Sequence, residues 1–289
     1  VFADQYGSYN PEHATPPPTA IILAEQYNRI LRLLDRGIPV LATVDIDAKF
    51  HSQNTPGLNV IASLPGKSKA SEIVMLGAHL DSWMGGTGAA DNAAGSAIVM
   101  EAMRILKTLK LPLKRTVRMA LWGAEEQNYY GSRAYVERHF ADPIKMTVKP
   151  EHENLSVYFN LDNGGGKIRG IYLEENESAR PLFEQWFKSF AEMGASTVSI
   201  RKSMYTDQQA FNGVGLPGFQ FIQDPLEYEN HIHHSNIDTV EHLVEADLMQ
   251  ASAVLAGIVY LAANSNEKMP RMAMPAPLPP RRPLPDILK

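Results

Sequence analysis

The chain has 289 residues, 44% of them hydrophobic and 20% charged, which is apolar content enough for one large core. A formal net charge of -5, with acids and bases interspersed, leaves no basic stripe to neutralise a phosphate backbone and argues against nucleic acid as a partner. Zero cysteines exclude disulfides and thiolate ligands, so any metal must be held by histidines and carboxylates.

The opening stretch VFADQYGSYNPEHATPPPTA lacks the charged-then-apolar order of a signal peptide, and no apolar run approaches the ~18 residues that cross a bilayer. Residues 1–18 are expected to form an extended leader closing on Pro16, Pro17 and Pro18. Ile21, Ile22, Ala24, Ile30, Leu31, Leu33 and Leu34 then recur at near-helical spacing, with Gly37 as a stop signal. Strand patterns follow in PVLATVDIDAKF, LNVIASL and EIVMLGAHL. DNAAGSAIVMEAMRILKTLKLP reads as a helix from Asp91 or Asn92 to Pro112.

Next come a strand in RTVRMALWGAEEQ, a helix through GSRAYVERHF, and strands in LSVYFNLDNGGG and IRGIYLEE. SARPLFEQWFKSFAEMG and TDQQAFNGVG are helical patterns, PGFQFIQD is a strand, and TVEHLVEADLMQASAVLAGIVYLAANS is a closing helix. This alternation predicts an α/β fold, a three-layer α/β/α sandwich with a largely parallel or mixed central sheet. Residues 1–268 are expected to form a single domain. The proline-rich tail 269–289 is expected to be extended, either free or draped over the domain or over a neighbouring copy in a homodimer.

The chemistry-bearing residues fall where strand patterns end, the place where open α/β sheets bind ligands. His79 and Asp81 close IVMLGAHLD, Glu125 and Glu126 follow VRMALWGA, Asp162 follows VYFNL, and His234 lies in HIHHSNIDT after GFQFIQD. If the strand persists, residues 79 and 81 share a face, and the aspartate holds the imidazole by its far nitrogen. Asp91 stands at a loop-to-helix junction suited to bridging two cations, and Gly85, Gly86 and Gly88 allow the backbone to approach them. Side chains of the adjacent Glu125 and Glu126 diverge, so one serves as ligand while the other faces a water. Nitrogen and oxygen donors in this number favour two Zn²⁺, with Mn²⁺ or Co²⁺ as substitutes. Two such ions ~3.5–4 Å apart would polarise a carbonyl and acidify a bridging water.

In order and in type, GAHLDS, GAADNAAG, WGAEEQNYYGS, NLDNGG and HHSNIDT resemble the M28 family of dinuclear zinc exopeptidases across residues 58 to 262. NLDNGGGKIRG and QDPLEYENHIHHS are similar to its carboxypeptidase Q branch and that branch's bacterial relatives. The resemblance implies a zinc exopeptidase-like fold, with His79, Asp91 and Asp162 on one zinc and Asp91, Glu126 and His234 on the other. It also makes Glu125 the general base acting on a metal-bridging water, places Asp81 behind His79, and has Asp238 buttress the last histidine loop. The implied reaction is hydrolysis of a terminal peptide bond, as an aminopeptidase, carboxypeptidase or dipeptidase. The family also suggests a secreted or periplasmic location and a protease-associated insertion, which is not visible in this chain.

Further out, Tyr228 is a candidate oxyanion donor, and Arg201, Lys202 and Tyr205 are candidates to reach a substrate carboxylate. Many relatives place a histidine after the aspartate of TDQQAF, where this chain has Gln208. Two rival readings are a single-zinc cyclotransferase of the glutaminyl cyclase type and a non-catalytic binding module. Both predict gaps in the ligand set, and this sequence has none.

Overall fold

The computed structural model describes residues 21–45, 47 and 56–277. The expected leader 1–18 lies outside them. Contacts divide the chain between Pro56 and Gly57 into two compact units.

In the first unit, α1 (Ala24–Leu34) forms as its spacing predicts. It closes where Gly37, at φ +71°, lets the amides of Gly37 and Ile38 turn back onto Leu34 and Leu33. Of the strand expected in PVLATVDIDAKF, residues 39–45 and 47 make none, and residues 46 and 48–50 lie outside the described residues. Alternation alone cannot make a strand, because its amides and carbonyls need a neighbouring ladder.

In the second unit, seven strands form one mixed sheet. They are β1 (Val60–Leu64), β2 (Lys69–His79), β3 (Arg115–Trp122), β6 (Leu155–Asn160), β7 (Ile168–Tyr172), β8 (Thr197–Ser199) and β9 (Gly218–Gln223), in the spatial order β1-β3-β2-β6-β9-β7-β8. The four central strands β3, β2, β6 and β9 run parallel, while β1 pairs antiparallel with β3 and β7 antiparallel with β9. A separate hairpin pairs β4 (Ala141–Asp142) with β5 (Thr147–Val148).

Each central strand feeds two cores, as a period of two requires. From β2, Val74, Leu76 and Ala78 face the larger core, which α2 (Ala94–Thr108), α4 (Arg180–Phe187) and α6 (Glu245–Asn264) cover. Ile73 and Met75 face the other, which α3 (Tyr130–His139) and α5 (Gln208–Asn212) cover. This is the expected three-layer α/β/α arrangement. In the second core Trp122 Nε1 donates to the Tyr158 hydroxyl at 2.8 Å, and Phe211 stacks on the Tyr158 ring at 4.1 Å. Each fully buried ring of this kind contributes roughly 1.5–3 kcal/mol by leaving water.

By length and composition α6 could cross a bilayer, although the sequence reading found no such run. Its apolar face instead lies in the larger core, through Ala251, Val254, Leu255, Ile258 and Val259. The tail is extended and drapes over its own unit as far as residue 277. Met269 is buried, Arg271 donates to the carbonyls of His152 and Leu155 at 2.8 and 2.9 Å, and Asn176 donates to the Pro270 carbonyl.

Candidate metal centre

Three neighbouring parallel strands end at one level, because His79 is in register with Trp122 and Gly77 with Asn160. Whatever follows β2, β3 and β6 therefore meets at the same edge. That places His79, the pair Glu125 and Glu126, and Asp162 together from three separate segments.

Asp91 joins them from the start of α2. The helix begins at Ala94, later than the sequence suggests, because Asp91 (φ -123°, ψ 84°) and Asn92 (φ -140°, ψ 41°) are not helical. Asn92 explains the placement. Its amide donates to the Leu161 carbonyl at 2.9 Å while its Oδ1 accepts from Gly95 N at 3.1 Å, tying the loop after β6 to the helix start. Ser96 Oγ donates to the His79 carbonyl at 2.7 Å and anchors the end of β2 to the same turn. Of the three glycines expected to open this loop, only Gly88 adopts a positive φ, +65°, and a Cβ there would lie 2.4 Å from Ser82 Cβ.

Asp91 divides its two oxygens. Oδ1 lies 3.1 Å from His79 Nε2, which is also 3.0 Å from Asp162 Oδ1. Oδ2 lies 3.4 Å from His234 Nε2, which is in turn 3.2 Å from Glu126 Oε2. His233 is also near, its Nε2 3.8 Å from Asp91 Oδ2 and its ring 3.8 Å from that of His234. Ligand atoms of His79, Asp91 and Glu126, of His79, Glu125 and Asp162, and of Asp91, His233 and His234 form three groups, each within 4.8 Å.

The residues behind the cage do not all act as their spacing suggested. Strand β2 stops at His79, and Asp81 stands beside the imidazole from the loop that follows. His79 Nδ1 is 2.9 Å from the Asp81 carbonyl and 3.6 Å from its carboxylate. The carboxylate accepts instead from Glu125 N and Glu126 N, at 3.0 and 3.2 Å, and so fixes the backbone of both glutamates. Asp238 likewise accepts from Ala90 N at 2.6 Å and Asp91 N at 3.0 Å. It therefore ties the segment that follows His234, where Asp238 N donates to the Ser235 carbonyl, to the backbone of Asp91.

Electrostatically the cage is short of positive charge. Burial, reinforced by Asp162, lifts Glu125 well above the usual carboxylate range. Burial raises Glu126 to about 7 against the pull of His234, and Asp162 to about 6 against that of His79. Burial would lower His79, but Asp162, Asp81 and Asp91 around it raise it well above its ordinary value. Among the described residues, Glu126 Oε1 is buried with no hydrogen-bond partner. A crowded, dehydrated set of carboxylate and imidazole donors with an orphaned oxygen fits divalent cations.

Around this cage, Tyr228 is 5% exposed and packs against Gly164, where a Cβ would come within 2.9 Å of its ring. Tyr129 is buried, as a core tyrosine would be, whereas Tyr130 is exposed. Arg201, Lys202 and Tyr205 lie exposed on the loop after β8. Asp207, not assigned a role from the sequence, is fully buried, and burial raises it to about 7 against the pull of Ser132. Its position directly before Gln208 in TDQQAF was the available signal.

A cage of histidines and acids at the carboxyl ends of parallel strands defines an α/β protein equipped to bind metal ions. The chain belongs to peptidase family M28, which matches residues 59–259. It is 30% identical to carboxypeptidase Q of Homo sapiens over 254 residues, 88% of this chain and 51% of that protein, and so spans about half its length. Among solved structures it resembles a peptidase M28 precursor from Shewanella amazonensis SB2B, with 32% identity, a TM-score of 0.66, and coverage of 75% of this chain and 47% of that one. It also resembles BSAP, a zinc aminopeptidase from Bacillus subtilis, with 26% identity, a TM-score of 0.58, and coverage of 72% and 50%. A glutaminyl cyclase from an Acidobacteriales bacterium shares the fold at 17% identity and a TM-score of 0.56, over 71% of this chain and 73% of that one.

Proposed function

We propose that this protein is a dinuclear zinc exopeptidase that hydrolyses a terminal peptide bond of a peptide or dipeptide. The observation that carries the reading is the division of Asp91 between two donor groups, His79 with Asp162 and His234 with Glu126. These five residues would hold the two ions, Mn²⁺ or Co²⁺ being able to substitute. Bound there, the ions would supply Lewis-acid polarisation of the scissile carbonyl and a more acidic water.

Glu125 then does the proton chemistry. Its backbone is fixed by Asp81, and its buried carboxyl has a raised proton affinity. It takes a proton from the attacking water and delivers it to the departing amine. Tyr228 donates its hydroxyl where negative charge develops on the carbonyl oxygen. Arg201 and Tyr205, on the exposed loop, receive the distal part of the substrate. That the Shewanella relative is a precursor favours a secreted or periplasmic setting.

The test is Glu125→Gln, with metal content measured alongside hydrolysis of aminoacyl chromogenic substrates and unblocked dipeptides. Metal should stay bound while hydrolysis falls roughly 10²–10⁴-fold. Full activity in the variant would remove Glu125 as the base. A stoichiometry of one zinc per chain, with cyclisation of amino-terminal glutamine and no hydrolysis, would replace this reading with the cyclotransferase whose fold it shares.

A further inference from the structure

Strand β7 ends at Tyr172, and two residues on stands Glu174, only 2% exposed. Glu174 and Glu175 both hold positive φ, +50° and +67°, an uncommon conformation for residues with side chains. That kink turns the Glu174 carboxyl inward under the loop that follows β8. Both its oxygens accept from Ser203 N, at 3.2 and 3.1 Å. The same loop is pinned by Leu173 N on the Ser199 carbonyl at 2.7 Å, and Lys202 pairs with Glu175 at 4.0 Å.

From Ser203 the chain makes a short arch. Met204 and Tyr205 are 54% and 77% exposed, and Tyr205 itself sits at φ +64°. Thr206, Asp207 and Gln208 then plunge to 4%, 0% and 0% exposure. Asp207 ends the arch inside the cage's electrostatic reach, since its charge acts on Glu125. The arch is therefore clamped at one end by the buried Glu174 carboxyl and at the other by the burial of Thr206, Asp207 and Gln208, with Tyr205 at positive φ on its crest.

An acid is a poor choice for mere anchoring. Burial lifts Glu174 to about 8 even with the Ser203 amide and Lys202 holding it down, so the site bears a desolvation cost that an amide or a backbone carbonyl would avoid. Strain and desolvation concentrated beside a reactive site point to function.

We propose that Glu174 is a positioning residue, a latch that holds the Ser203–Asp207 arch so that Tyr205 and Met204 contact the substrate's apolar side chain. This deepens the exopeptidase reading and rests on it. The latch acts on substrate binding and selectivity; proton transfer by Glu125 does not pass through it.

The experiment compares wild type, Glu174→Gln, Glu174→Ala, Tyr205→Ala and the Glu174→Ala/Tyr205→Ala double variant, all zinc-loaded. KM for a leucine substrate should rise roughly five- to tenfold in Glu174→Ala and Tyr205→Ala, less in Glu174→Gln, while kcat changes less than twofold and an alanine substrate is affected less. The double variant should be no worse than the worse single, because both changes remove one contact. A second readout needs no activity: trypsin should nick Glu174→Ala at Arg201 or Lys202 faster than wild type, with the site located by mass spectrometry. If Glu174→Ala does not fold, Glu174→Gln keeps its shape with one oxygen acceptor and serves for both readouts. Unchanged nicking, a loss confined to kcat, or additive effects in the double variant would each overturn the latch. Wild type that hydrolyses no peptide would instead overturn the exopeptidase reading, and the nicking result would still decide the latch.

Discussion

Asp238→Asn tests whether the shared aspartate is held from behind. Asp238 is 4% exposed, and its two oxygens accept from Ala90 N and Asp91 N, themselves on residues 2% and 5% exposed. Asparagine offers one oxygen in place of two and turns its amide toward the second N–H. One buried donor is then orphaned, at a cost of ~1–3 kcal/mol. The bonds that tie Thr87 to this segment use the Asp238 backbone carbonyl and survive, so the loop stays while Asp91 loses its footing. Loosening a ligand through the group that orients it costs about 10–100-fold in metal affinity. The assays are zinc competition against a calibrated chelator and urea unfolding of the zinc-free protein. A variant with zinc affinity within twofold of wild type and an unchanged urea midpoint would refute the buttress.

The proton balance of the cage makes a pH prediction. Folded values of about 7 for Glu126 and about 6 for Asp162 lie above their ordinary 4.5 and 3.8, so each contributes stability below its ordinary value that is lost as pH rises through the folded one. Chelated protein should therefore lose Tm between about pH 4 and 7, while the gain in Tm on adding zinc grows over the same range, because zinc displaces those protons. A zinc-induced gain independent of pH would contradict the raised values. In the second core, Tyr158→Phe removes the acceptor of Trp122 Nε1 and the donor to Asn160 Oδ1, both fully buried. Thermal or urea unfolding should show a loss of ~1–3 kcal/mol, and no loss would mean that Trp122 finds another acceptor.

What the sequence revealed of the site, and what it hid, divides by the range of the interaction. His79, Glu126 and Asp162 could be grouped because each lies at or just after the end of its own apolar strand, and parallel topology brings those ends together, while Asp91 and His234 reach the same place from loops. The α/β layering was legible for the same reason, since the β2 alternation sends Val74 and Leu76 to one core and Ile73 and Met75 to the other. Asp81 does stand behind His79, but its hold on the two glutamate amides was hidden, because it depends on the turn after β3 arriving from 44 residues away. Residues 39–45 alternate in part as a strand does but join no ladder among the described residues, a fact about neighbours that no local pattern encodes.

Glu174 was invisible for the strongest version of that reason. In LEEN it looks like an ordinary solvated acid at a strand end, and only a loop arriving 29 residues later buries it. The shared carboxylate differs from the latch in just this respect. Asp91 is kept in place by Asn92, one residue away, so its special position is written into DNAAG, and by Asp238, 147 residues away, which is not. If local bonds alone set the cage, Asp238→Asn would leave zinc affinity intact. The two amides that Asp238 accepts, one of them Asp91's own, are the reason to expect the loss.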